Sequence, residues 1–466
     1  MAGLGRRPEC APRAGPAQPI LAGPTCRTAT SWLASRYALP VVARPVNTRE
    51  RAAARQNSYL THRANADAGR HGWLRLTPAY SVRLVRERTA HLPPGAVVTD
   101  PFSGSGTTVL AAAEHGGVGQ AVDVNPFLVW LGNVKAASYP AGLLAETRAL
   151  VPGLADQAAE CARDAAGLWA PNLHNIARWW SPGSLAALKA LRHVLDQAEL
   201  PGPAHDLVSI AFCRTAIKVS NASFNHQSMS FATGPVPAPD DDHVIGRFTA
   251  EAAEILAGAE TGLPGSGRVV PGDARDLGAA GLPPCDLLLT SPPYVNRMSY
   301  IRELRPYMYW LRFLDQASDA GELDWTAIGG TWGIATSRLH DWTPAAPAAP
   351  AGHAAPVAAI EDELRAVAAL IVRDGGKHGP LLATYVIKYF HDMSAHFSAA
   401  FGHVRSGGTA SYIIGNSTFY GHVVPAERWY ASLLSSAGFT GVRTTVIRKR
   451  NSNLALYEYE VTARRP

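Results

Sequence analysis

One stretch limits what this chain can fold into more than any other: Thr99-Asp100-Pro101-Phe102-Ser103-Gly104-Ser105-Gly106-Thr107-Thr108. An apolar run, Ala96-Val97-Val98, precedes it, and a run of small apolar residues, Val109 to Ala113, follows it. That order predicts strand, glycine bend, helix. Gly104 and Gly106 allow a backbone course that a Cβ would obstruct. The helix after the bend points its free N–H groups back at it. A bend of this kind at the carboxyl end of a parallel strand is where open α/β sheets bind nucleotides.

The rest of the chain is read against this unit. Its 466 residues suffice for two or three domains, or for one large domain with insertions. The formal charge of +6 permits a nucleic-acid partner without demanding one. Five cysteines, at 10, 26, 161, 213 and 285, form no CxxC pair, so neither a metal site nor a disulfide framework is expected. A reducing cytoplasm is the expected compartment. No apolar run has the length of a membrane span, and no membrane partner is expected.

Residues 1–55 are rich in Pro, Ala, Gly and Arg without periodicity and read as a disordered arm. Residues 56–136 carry the glycine bend. Before it, Ser81 to Thr89 reads as a helix whose Arg83, Arg86 and Arg88 form a solvated face. After it, Gly119 to Asp123 reads as a second strand ending in an acid, seventeen residues beyond Gly106. In nucleotide-binding α/β units an acid at about this spacing accepts hydrogen bonds from ribose hydroxyls. Residues 137–261 are helical in pattern, with a polar segment, Lys218 to Gln227, suited to base edges or phosphates. Trp179 and Trp180 read as packing. Residues 262–466 return to the sheet. Asp286 to Thr290 is a leucine-rich strand, Tyr300 to Leu314 a helix, 343–359 a flexible Ala/Pro-rich loop, and Gly441–Lys449 with Ala455–Thr462 an antiparallel hairpin at the sheet edge.

Ser291-Pro292-Pro293-Tyr294 follows the leucine-rich strand. Two prolines remove two backbone donors and restrict the backbone. What remains are acceptors, the Ser291 hydroxyl and nearby carbonyls, beside the flat face of Tyr294. Such a site suits an amino group on a planar heterocycle. Held by its hydrogens, that nitrogen keeps electron density for attack on an electrophilic methyl. A base inside a duplex would have to be flipped out to reach it. The bend lacks the lysine of a phosphate-binding loop and the third glycine of GxGxxG. A cofactor with adenosine and an amino-acid tail suits it better than a pyrophosphate.

Asp100 to Thr108 resembles the S-adenosylmethionine motif of the amino-methylating DNA methyltransferases. Thr290-Ser291-Pro292-Pro293-Tyr294 resembles their catalytic motif, in a Ser form similar to the N4-cytosine branch. Gly272-Asp273-Ala274 resembles the loop beside the cofactor adenine, and Trp73 to Pro78 the segment that closes over the methionine end. The resemblance covers roughly residues 70–135 and 268–460. It implies an α/β Rossmann-like methyltransferase sheet with an antiparallel C-terminal hairpin and a mostly helical insertion. It implies cofactor contacts from Thr77, Asp100, Pro101, Phe102, Gly104, Gly106, Thr107, Asp123, Val124, Asn125, Asp273 and Ala274, and a catalytic corner of Ser291, Pro292, Pro293 and Tyr294. Double-stranded DNA is the implied substrate, and a cognate restriction endonuclease a possible partner. With the cofactor motif first, the 137–261 insertion would carry target recognition, although the Asp273 loop follows that insertion instead of preceding it.

Three rival functions stay open at this point: N6-adenine methylation of DNA, guanine-N2 methylation of RNA or tRNA, and a DNA-binding defence protein with an inactive methylase fold. Pro284-Cys285 resembles the nucleophile of the 5-methylcytosine enzymes, but Cys285 begins a strand six residues before Ser291 and reads as packing.

Overall fold

The computed structural model describes residues 51, 60–61, 65–74, 76, 80–223, 230–231, 241–296, 298–344, 356–450, 452 and 454–466. Thr77, the arm before Arg51, the polar residues 224–229 and the loop 345–355 lie outside the described residues.

Seven strands make the central sheet: β1 (Val97–Asp100), β2 (Val118–Asp123), β3 (Ser266–Pro271), β4 (Cys285–Thr290), β5 (Val404–Gly415), β6 (Thr440–Lys449) and β7 (Tyr457–Arg464). Their order in space is β6-β7-β5-β4-β1-β2-β3. β7 runs antiparallel to both its neighbours, and the other pairings are parallel. The expected C-terminal hairpin is therefore present, and β6 forms the sheet edge with Arg443, Arg448 and Lys449 along it, charges that discourage edge-to-edge pairing.

The leucine run of β4 shows why this sheet is covered on both faces. Leu287 and Leu289 pack with Val85, Val98, Ala111 and Ala112, whereas Leu288 packs with Val122, Val404, Tyr412 and Phe397. Side chains alternate across a strand, so an unbroken apolar run needs a helical layer on each side. One face carries α1 (Val82–Thr89), α2 (Thr107–Glu114) and α3 (Pro126–Ala136). The other carries α11 (Glu361–Asp374), α12 (Gly379–His403) and α13 (Ala426–Ser436).

Between α3 and β3 the chain leaves the sheet for a helical layer: α4 (Ala141–Ala162), α5 (Pro182–Gln197), α6 (Gly202–Lys218) and α7 (Asp241–Ala259). Capping is legible here. Ser181 Oγ accepts from Ser184 N–H with Pro182 in the first turn, which is how α5 starts. This layer shares one apolar core with Phe127, Leu128 and Leu131 of α3 and with α8 (Tyr300–Trp310), and Trp179 and Trp180 lie buried in it. Two short helices that the sequence did not announce, α9 (Ala317–Thr326) and α10 (Ile334–Asp341), follow.

Two expectations need correction. The helix from Tyr300 ends at Trp310 and does not continue to Leu314. Arg312 takes a left-handed conformation (φ 61°), and Phe313 and Leu314 fold back to bond Met308 O, which continues the apolar spacing without the helix. Nor are the arginines of α1 merely solvated. Arg86 forks onto Glu114 (2.9 and 2.9 Å) and Arg88 onto Glu460 (2.8 and 2.7 Å), tying α1 to α2 and to β7, while Arg83 pairs with its own helix neighbour Glu87.

Candidate active site

The chain steps from β1 to β2 to β3 on one side, then crosses to β4 and β5 on the other. Strand ends on either side of such a reversal leave a crevice between their outgoing loops. The two sequence motifs leave from β1 and β4, which pair directly, with Val98 beside Leu287 and Thr99 beside Leu288.

Asp100 joins them. Its Oδ1 accepts from Phe102 N–H (3.0 Å) and from Thr290 Oγ1 (2.5 Å), and its Oδ2 accepts from Thr108 Oγ1 (2.7 Å). Tyr80 closes the chain by donating its hydroxyl to Thr108. One fully buried carboxylate thus clamps the glycine bend, the start of α2 and the residue before Ser291. Burial pushes its pKa up to about 7 against the pull of these donors.

The bend itself turns through Gly104 (φ 50°) and Gly106 (φ 74°), where a side chain would be strained. A Cβ on Gly106 would also lie 3.0 Å from Gly132 Cα, so this glycine lets the bend pack against α3. Asp123, at the end of β2, holds the bend through Gly104 N–H (3.0 Å) and caps its own turn through Asn125 N–H (2.9 Å). Burial raises its pKa to about 6. Asn125 in turn accepts from Phe127 N–H and starts α3. Lys135 supports the bend from behind. Among the described residues no carboxylate pairs with its buried ammonium, which donates to the carbonyls of Ser105 (3.0 Å) and His71 (3.3 Å); desolvation lowers its pKa to about 7.

The loop after β3 is held from two sides. Gly272 N–H bonds Asp123 O (3.1 Å), and Arg275 grips the Asp273 carboxylate through Nε (3.0 Å) and an Nη (2.6 Å) while reaching Asp392 (3.1 Å). His396 is wholly buried. Its Nδ1–H donates to Ala274 O (2.8 Å), its Nε2 accepts from Tyr412 (3.0 Å), and burial lowers its pKa to about 4, so it stays neutral as a fixed post for the loop.

Beyond Thr290 the backbone is anchored by tyrosines. Tyr389 donates to Pro293 O (2.6 Å), and Tyr294 N–H donates to Tyr300 Oη (3.1 Å). Tyr294 donates its own hydroxyl to Glu458 Oε1 (2.8 Å), whose carboxylate Arg448 also holds (2.7 Å). Its ring lies against Gly415, where a Cβ would come within 2.9 Å of it, and the Arg450 guanidinium sits over it at 5.5 Å.

These elements border one cleft of about 990 Å³, counting the part open to solvent. Of the residues singled out from sequence, Pro101, Phe102, Gly104, Asp123, Val124, Asn125, Asp273, Ala274, Ser291 and Pro293 line it. Asp100, Gly106 and Thr107 do not; they buttress it from inside the fold. Pro292 is buried and outside the lining, and Tyr294 is turned to Glu458 instead of offering its face to the cleft. Cys285 is buried in the core, as packing requires.

The opposite wall was missed. Met298, Tyr300, Ile301 and Leu304 line it, with Asp324 and the stretch Thr326–Gly330. Asp324 is an internal strut, accepting from Ser299 (2.6 Å) and Trp332 N–H (2.7 Å). One signal was available. Gly329-Gly330 marks a tight turn: Gly329 has φ 80°, and a Cβ on Gly330 would lie 1.6 Å from Asp324 O. Among the described residues no group of His, Cys, Asp or Glu could hold a metal ion, and no helix is long and apolar enough to cross a membrane. Comparison of the chain with models of known families, with curated proteins and with solved structures returned no match.

Proposed function

We propose that the protein transfers a methyl group from S-adenosylmethionine to the exocyclic amino group of a base flipped from double-stranded DNA, with cytosine N4 as the target. The observation that carries this reading is the Asp100 clamp: it receives both Thr108 and Thr290, so the glycine bend and the Ser-Pro-Pro corner, far apart in the chain, border the same cleft. The strand order β3-β2-β1-β4-β5-β7-β6 with β7 reversed agrees with a Rossmann-like methyltransferase sheet.

The donor set in the cleft suits this cofactor. Asp123 lies in the lining with lone pairs beyond its two backbone bonds, as ribose hydroxyls require. The Gly272–Ala274 loop sits beside it with its backbone fixed, ready to border an adenine. Leu76, Leu128 and Ile301 supply apolar wall. When bound, the sulfonium would supply an electrophilic methyl.

The chain's own residues do the rest. Ser291, just past β4 at the cleft edge, would accept a hydrogen bond from the target amine and leave the nitrogen lone pair free to attack; the proton the amine loses on methylation would pass to solvent through the open cleft, and the cofactor would leave as its thioether. The prolines keep competing backbone N–H donors out of that corner, and Tyr389 pins it by Pro293 O. For Tyr294 to stack on the base, its bond to Glu458 must break and its ring must turn into the cleft. The helical layer α4–α7 is the element assigned to target recognition, and a cytoplasmic modification system with a cognate endonuclease is the setting.

The test is mass spectrometry of nucleosides from DNA and RNA incubated with the protein and methyl-labelled cofactor. Label in N4-methyldeoxycytidine supports the proposal. Label in N6-methyldeoxyadenosine or N2-methylguanosine reassigns the base, and no label in either polymer overturns the reading.

A further inference from the structure

The helix that walls the cleft has a second face. Ile301 and Leu304 of α8 line the cleft. Arg302 and Arg305 each stand one position further on, three apart, and so share the neighbouring face of the helix. Arg302 is exposed and Arg305 half-buried. Ser299 caps α8 by accepting from Arg302 N–H (3.1 Å) and donates its hydroxyl to Asp324 of the far wall (2.6 Å). The pair therefore stands at the rim of the cleft.

These two cations lack a counter-charge. Among the described residues no carboxylate pairs with either guanidinium, whereas Arg86, Arg88 and Arg338 nearby in the chain or the fold each fork onto an acid. The acid between them, Glu303, is buried, and it attracts Arg305 less than Arg302 repels it. Burial first, and the charge of Arg302 second, hold the Arg305 pKa below the usual arginine value. Like charges at helical neighbours cost stability, and here that cost is concentrated at the mouth of the cleft. Arg305 is also set in place. Its guanidinium lies over the Trp332 ring at 4.7 Å and its Nε donates to Arg302 O (3.2 Å), while none of the described residues takes its two Nη groups. A planar fork held in this way matches the geometry of a phosphate.

We propose that Arg302 and Arg305 form a docking strip for duplex DNA and grip neighbouring phosphates of the strand whose base enters the cleft. Helix positions three apart carry Cβ atoms about 5–6 Å from each other, so two long guanidinium arms span adjacent phosphates of one strand. The strip lies outside the layer α4–α7 and holds backbone instead of base edges, so it supplies affinity and register without sequence choice. It rests on the reading of DNA as the substrate, but not on methyl transfer to it.

The test is fluorescence anisotropy of a labelled duplex of mixed sequence with the full-length protein over a salt series. Arg302→Gln and Arg305→Gln should each weaken binding about tenfold and lower the slope of log affinity against log salt by about one. Arg305→Lys keeps the charge and should keep the slope. The control is Arg464→Gln, exposed at the end of β7 beside the start of β5, at the far end of the sheet from Thr290, and it should change neither quantity. Arg302 makes no ring contact, so its variant carries the test even where loss of the Trp332 stack disturbs the fold. An unchanged slope in both Gln variants overturns the inference. So does the same loss in Arg464→Gln, no binding of the parent to duplex DNA, or tighter binding of the parent to RNA of equal length. Labelled methyl transfer separates the two readings. Arginine-dependent binding without transfer leaves the strip standing and removes the methyl-transfer reading, whereas undiminished transfer by the double Gln variant at limiting DNA removes the strip alone.

Discussion

Asp100→Asn should make the protein more stable at pH 8. The Asp100 carboxyl is completely buried, and its pKa rises from the ordinary 3.8 to about 7 because the desolvation of the charge outweighs its three hydrogen bonds. At about 1.4 kcal/mol per pH unit, the ionised form therefore costs the fold about 4 kcal/mol. Asparagine keeps the shape and one acceptor oxygen, which can serve Phe102 N–H and Thr290. Its amide nitrogen replaces the oxygen facing Thr108, whose hydroxyl hydrogen has a second acceptor in Leu289 O at 3.3 Å. The loss is about one hydrogen bond, roughly 1–1.5 kcal/mol net. The balance favours the variant by about 2.5–3 kcal/mol above pH 7.

The pH dependence gives the sharper signature. A carboxyl whose pKa is raised in the fold binds its proton more tightly folded than unfolded, so its contribution to stability falls as pH rises from about 4 to about 7 and then levels off. The gain of the variant over the parent should grow through that window and shrink towards pH 4. Urea unfolding of both proteins at half-unit pH steps measures the difference and cancels every other titrating group. A variant destabilised by 3 kcal/mol or more at pH 8, the usual cost of breaking a buried charged pair, would refute the account, because Asp100 would then be a stabilising anion.

Three further outcomes follow from the same geometry. On the proposed function, Asp123, with its pKa raised to about 6, would accept ribose hydroxyls best when ionised, so affinity for S-adenosylhomocysteine should fall towards tenfold per pH unit below about pH 6; calorimetry of parent and Asp123→Asn checks this, and parallel pH profiles in the two would contradict it. Ser291→Ala should lower turnover about 10- to 100-fold while changing cofactor affinity less than about twofold, read from single-turnover rates and calorimetry; equal loss of both would contradict the role given to Ser291. Gly415→Ala puts a methyl 2.9 Å from the Tyr294 ring and should cost about 1–3 kcal/mol by thermal melting, but far less in a Tyr294→Ala background; an equal cost in both would place the clash elsewhere.

What the sequence determined by itself is what local physics writes into neighbouring residues. The glycine bend announced its turn because only glycine takes the left-handed conformation of Gly104 and Gly106 at low cost. The unbroken leucines of β4 announced a strand buried on both faces, and the alternation from Gly441 onward announced the closing hairpin. Most members of the cleft were legible for the same reason, since bends and strand ends carry their own signatures.

Tertiary structure decided everything that depends on residues distant in the chain. Thr290 meets Asp100 only because β4 lies beside β1. Tyr294 turns from the cleft because Glu458, on β7, takes its hydroxyl, and because Gly415, on β5, leaves room for its ring. The far wall from Asp324 to Gly330 carries one local mark, the Gly329-Gly330 turn, but its place on the cleft has no local pattern, because burial and pairing are set by how layers stack. A residue's neighbours in sequence fix its backbone preferences, but only its neighbours in space fix the charge, the partner and the exposure on which its chemistry depends.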